Sequence, residues 1–179
     1  ADVVLTGGTG DDVFDLSAVI TSEDHSITDF ESAGAVVGDT IKLNSAKTTA
    51  TTSAGADLAI GTITAVQATE ETAYGAFASG ASNTIDLLIV TATNAAGDLS
   101  ADASDGTELL KDFIVDPAKG ITVVANAEFY ILAYDDTSAY LYYAHEQNNT
   151  VLVDTEIVLI ATIDTITAGS FVAADFVLG

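Results

Sequence analysis

Short runs of apolar and β-branched residues, separated by small polar stretches, organise this 179-residue chain. The runs are Ile60–Val66, Ile85–Thr91, Ile121–Ala125, Glu128–Tyr134, Ala139–Ala144 and Val151–Ile163. Each predicts a strand, because branched and aromatic side chains fit a pleated, half-buried surface. Asp135-Asp136-Thr137-Ser138 separates two tyrosine-rich runs and predicts a hairpin turn, and Gln147-Asn148-Asn149 predicts another. Asn44–Gly55 and Asn94–Gly106 are small, polar and glycine-punctuated, as loops are. One helix signal stands out: Asp105 lies three residues before Glu108, and Leu109, Leu110 and Phe113 follow at helical spacing. The pattern predicts an all-β fold with minor helix.

Charge changes the picture more than hydropathy does. The chain carries 27 acidic residues against four lysines and no arginine, for a net charge of −23. No lysine or arginine follows Lys119. Phosphate backbones need cationic side chains to displace their counterions, so nucleic-acid binding is excluded as an expectation. Anionic membrane surfaces are disfavoured for the same reason. No apolar run is long enough to span a bilayer as a helix. Self-repulsion at this charge opposes a compact state, and a divalent cation relieves it where carboxylates converge. Acidic surfaces also keep exported proteins soluble, so part of the charge needs no further role. Cysteine is absent, which removes disulfides and thiolate sites. Methionine is absent even at position 1, as expected of a processed or excised product.

The segment with chemical content is Gly7-Gly8-Thr9-Gly10-Asp11-Asp12-Val13-Phe14-Asp15. It matches the calcium-binding nonapeptide G-G-x-G-x-D-x-U-x at every specified position, with Phe14 as the large apolar residue. Glycine permits the positive φ of a tight turn. Calcium takes six to eight oxygens from carbonyls and carboxylates together. Asp12 is the candidate carboxylate ligand, and Gly8 and Gly10 are the candidate carbonyl donors. A glycine turn leading into a strand, with no metal, remains the plain alternative.

Ile27-Thr28-Asp29-Phe30 and Gly38-Asp39-Thr40-Ile41-Lys42-Leu43 follow. With the nonapeptide, they make Val3–Leu43 resemble the C-terminal region of RTX (repeats-in-toxin) proteins. Phe129–Leu178, with its tyrosine-bearing hairpin and closing residues 167–178, resembles the same region more weakly. The resemblance implies a short parallel β-roll turn joined to a β-sandwich-like module. It implies calcium as the ligand and type I secretion from an uncleaved C-terminal signal, hence a secreted or cell-surface location. Family sites form between successive repeat turns and only one such repeat is present, so further ligands are expected from Asp29 or Asp39, or from a missing upstream repeat. On this reading residues 1–43 hold the repeat and the strands after it. Residues 44–112 are a β-rich insertion, and residues 113–179 a C-terminal β module ending in the signal-like tail.

Other constellations carry less. His145-Glu146 begins an H-E-x-x-H zinc pattern, but position 149 is Asn149, and two ligands do not make the three or four that zinc requires. Tyr130, Tyr134, Tyr140, Tyr142 and Tyr143 suit either a stacking platform for a glycan or cross-strand packing in a hairpin, and packing is the favoured expectation. No local serine, histidine and aspartate pattern suggests a nucleophile, so no catalytic activity is expected. The sequence therefore points to a calcium-binding structural module of a surface-layer, adhesin or filament protein. The rivals are a glycan-binding module and the non-catalytic tail of a secreted hydrolase. Unguarded strand edges add an expectation of a homo-oligomer, lattice or filament in calcium.

Overall fold

The computed structural model describes residues 3–19, 25–32, 38–48, 86–90, 99, 106–107, 109–110, 125–135, 137–147, 152–167 and 169–179, together with the backbone of 60–63, 78–79 and 82–83. These residues are mostly strand, as the hydropathy pattern predicts. The strands are β1 (Val4–Leu5), β2 (Val13–Asp15), β3 (His25–Ile27), β4 (Thr40–Leu43), β5 (Ile60–Ile63), β6 (Ala78–Ser79) and β7 (Ser82–Asn83). They continue with β8 (Leu87–Val90), β9 (Glu128–Tyr134), β10 (Ser138–His145), β11 (Ile157–Asp164) and β12 (Phe176–Leu178). Among the described residues, 3-10 turns at Ser45–Lys47, Asp154–Glu156 and Ala173–Asp175 break the strand pattern. Of the predicted helix at 105–113, Gly106, Thr107, Leu109 and Leu110 are described; Leu110 N–H donates to the Gly106 carbonyl over 2.8 Å, one helical turn. The strand expected at Ile121–Ala125 lies, but for Ala125 in a turn, outside the described residues. No described helix is long and apolar enough to cross a membrane.

Seven strands form one sheet in the order β1-β3-β11-β10-β9-β8-β5, and three form a second in the order β12-β4-β2. The chain passes from the large sheet to the small one three times: β1 to β2, β3 to β4, and β11 to β12. Each pass is parallel to the next and in register. Leu5, Ile27 and Ile163 line up across the large sheet. Phe14, Ile41 and Phe176 line up across the small one. Both columns pack into the core between the sheets, so the last residues of the chain complete a stack that the first residues begin.

β9 and β10 form the predicted hairpin in the middle of the large sheet. Asp135 Oδ1 accepts the Thr137 and Ser138 amides, and this closes the turn. Both strands are buried on both faces, because a core cluster packs against each face. Tyr130, Leu132, Tyr134, Leu141 and Tyr143 face the small sheet. Phe129, Ile131, Tyr140 and Tyr142 face a second core with Leu99, Leu109 and Leu152. The pairing of β10 with β11 shifts after Leu141, which opposes Ala161, whereas Tyr142 opposes Leu159. Ile160 is the extra residue of this β-bulge, and it lets Ile160 and Ala161 both enter the core beneath the small sheet. All five hairpin tyrosines are at most 6% exposed, so their rings pack the cores and present no stacking platform to solvent.

Candidate metal site

The glycine turn joins β1 to β2, and each glycine has its own reason to be there. Gly8 and Gly10 adopt φ of +99° and +120°, where a side chain is strained. Gly7 lies against Asp12: a Cβ on Gly7 would stand 2.8 Å from Asp12 Oδ2. The glycines therefore fold the turn onto the aspartate that ends it. Gly10→Ala is expected to lower stability by about 1 kcal/mol or more through the forced positive φ, and a denaturant titration with unchanged slope would measure it.

The next pass of chain brings both of the other predicted acidic residues to this turn. The Asp29 carboxylate accepts the Gly7 amide at 3.0 Å on one oxygen and the Gly8 amide at 2.8 Å on the other. Asp39, only 3% exposed, accepts the Asp12 amide at 3.0 Å and the Glu31 amide at 2.8 Å. Thr40 N–H closes the strand pairing by donating to the Asp12 carbonyl. These are charge-assisted bonds to backbone amides, stronger than neutral ones. Asp29 and Asp39 thus staple the second pass to the first.

Asp12 differs from both. Its Oδ2 is buried and has no hydrogen-bond partner. A buried carboxylate oxygen without a partner is destabilising unless a proton or a cation meets it. Among the described residues, no three histidine or acidic side chains converge on one point, so any ion here would take much of its coordination from other oxygens. Asp12, the turn carbonyls of Gly8 and Gly10, and the second lone pairs of Asp29 and Asp39 offer oxygen alone, the donor set of a hard cation. Of the three carboxylates at this turn, Asp12 is the one with a buried oxygen that no donor meets.

Comparison with known proteins adds no relative: no protein family, no curated protein and no solved structure matches the chain.

The rest of the polar chemistry sits elsewhere. Ser17 and then Lys42 bond the exposed Asp15 carboxylate and hold it down to a pKa of about 2. Glu128 accepts the Tyr143 hydroxyl at 2.5 Å, with Lys47 Nζ at 3.6 Å and His145 Nδ1 at 4.0 Å. Glu146 turns inward, and its Oε2 accepts the Asn126 amide, so His145 and Glu146 point apart as strand neighbours do. Sequence reasoning missed Asp175. It is fully buried, and its Oδ2 accepts the Val172 amide and the Ser32 hydroxyl. Its signal was an acidic residue between apolar neighbours in the tail, which composition alone assigned to export.

Proposed function

We propose that the chain is a calcium-binding structural module of an exported bacterial surface-layer, adhesin or filament protein, which works by assembly or anchoring and not by catalysis. On this reading the three stacked passes are a short β-roll, completed by the C-terminal segment, and the hairpin strands belong to a sandwich-like module built onto it. The observation that carries the reading is the unpartnered, buried Asp12 Oδ2 in a glycine turn. The net charge of −23 supports it, since a bound cation offsets self-repulsion. The resemblance of Val3–Leu43 to RTX proteins supports calcium as the ion and type I secretion as the route out of the cell.

Thermal melts in calcium, magnesium and chelator test this. A ligand that binds only the folded state adds RT ln(1 + [L]/Kd) to stability, so calcium raises the melting temperature. Magnesium does so poorly, because it demands tight octahedral geometry. Asp12→Ala gives a change of sign. It abolishes most of the calcium gain, yet in chelator it leaves stability unchanged or higher, because it removes an unpaired buried oxygen. Equal melting temperatures in calcium and chelator for the parent chain would refute the proposal.

A further inference from the structure

We propose that residues 166–179 exchange between two copies of this chain, each copy seating the segment in the other, with Thr165 as the hinge. The segment makes a complete docking set. Ile166, Phe171 and Phe176 enter the core between the sheets. β12 pairs with β4 from Phe176 to Leu178. The Ser32 hydroxyl faces the Ser170 carbonyl and the Asp175 carboxylate as donor, each at 2.8 Å. The Ser45 amide and hydroxyl donate to the Gly179 carbonyl. Ser32 and Ser45 stand more than 130 residues before these partners, so a second copy offers the same groups in the same places.

Thr165 is where the chain leaves β11 for the small sheet. It adopts φ +60°, a left-handed conformation that is an outlier for a β-branched residue. Its side chain is exposed, so burial does not account for a threonine there. Asn126 has the same φ, but asparagine tolerates this region. The strain at Thr165 has a geometric cause. Asp164 is still paired with Ser138, and two residues later the Ile166 amide donates to the Thr137 carbonyl. The whole change of direction therefore falls on the residue between them.

An extended Thr165 lets β11 run straight on and carries residues 166–179 away from their own molecule. Threonine favours that extended conformation. In the exchanged pair each segment regains the contacts above, and both hinges relax. Short hinges under strain are where chains exchange elements. The segment also keeps its own shape as it moves, because Asp175 Oδ2 accepts the Val172 amide within the 3-10 turn that precedes β12.

The inference does not rest on bound calcium, so its test is made in chelator and is separate from that of the proposed metal site. The chain has no cysteine, so Lys42→Cys with Val177→Cys adds the only thiols. These two positions are register partners on neighbouring strands, about 5 Å apart and within the span of a disulfide. A tethered segment competes at an effective concentration on the order of millimolar. The double variant is therefore refolded at about that concentration, in physiological salt that screens the acidic surfaces, and then oxidised. The expected result is a dimer by light scattering whose disulfides join two chains on a non-reducing denaturing gel. Thr165→Gly relieves the strain without exchange and lowers the dimer association constant at least tenfold. Thr165→Pro, whose ring forbids a positive φ, raises it at least tenfold. A monomer at this concentration, a dimer whose disulfides all lie within one chain, or an unchanged dimer fraction in Thr165→Gly would overturn the inference.

Discussion

Raising the pH from about 10 to about 12 is expected to remove up to about 4 kcal/mol of folding stability, a large part of the margin of a protein of ordinary stability. Burial pushes the Tyr130 and Tyr134 hydroxyls up from 10 to about 12. In the unfolded chain each ionises near 10, while in the folded protein each keeps its proton to about 12. Between those values the folded state holds more protons, so stability falls as pH rises, by roughly 2 kcal/mol per ring at the upper end. Below pH 10 the contribution is complete. Tyr143 adds to the loss: burial first, and the Glu128 carboxylate that accepts its hydroxyl second, drive it higher still. Circular dichroism melts across this range, read beside tyrosinate absorbance, give the slope. Tyr134→Phe removes one ionisation and should halve the part of the fall that Tyr130 and Tyr134 contribute together. Tyrosinate absorbance near its ordinary pH with native circular dichroism would show that the rings are not held as described.

The second large effect is at the other end of the chain. Phe171 packs on Phe30 with ring centroids 4.9 Å apart, on Phe176 at 5.3 Å and on Tyr134 at 6.2 Å. Phe176 fills the column with Phe14 and Ile41. Replacing either phenylalanine by alanine leaves a cavity at the meeting of all three passes and should destabilise by about 3–5 kcal/mol. Deleting residues 170–179 removes both rings and β12. It also removes the bonds that tie Gly179 to Leu43 and Ser45, and Asp175 to Ser32. The expected outcome is loss of amide protection in β2 and β4 as well, although these lie more than a hundred residues away in sequence. A truncated chain with the parent's melting temperature would contradict it. This also bears on the proposed export route: a deletion that keeps the chain in the cell removes a fold whether or not it removes a signal, so residues 167–179 need testing on a foreign passenger.

How legible the fold was follows from where its information lies. β9 spans the residues its hydropathy marked, because Glu128–Tyr134 is an unbroken run of strand formers bounded by a turn. β11 begins at Ile157 instead of Val151, since the Glu156 carboxylate accepts the Val153 and Gln147 amides and holds Asp154–Glu156 in a 3-10 turn. The stacked passes were hardest to see. Only the first carries the glycine motif, so the equivalence of Leu5, Ile27 and Ile163 is a matter of register and not of resemblance. Sequence reading placed Asp29 and Asp39 near the glycine turn, and they lie there. What spacing could not supply is that their oxygens hold amides, so that the carboxylate with an oxygen left over is Asp12. The tyrosines were ambiguous because a ring that packs a core and a ring that stacks on a sugar have the same composition; the core clusters on both faces of β9 and β10 decide it.

Calorimetric titration of calcium into the metal-free protein, beside Asp12→Asn and Asp15→Asn, tests the central claim most directly. A calcium site at Asp12 predicts saturable binding by the parent with a Kd of about 0.1–1 mM, the range of extracellular calcium modules. It predicts loss of one site in Asp12→Asn and parent behaviour in Asp15→Asn, whose carboxylate is exposed and engaged by Ser17 and Lys42. Identical titrations for the parent and Asp12→Asn would contradict it, and so would no saturable heat from the parent.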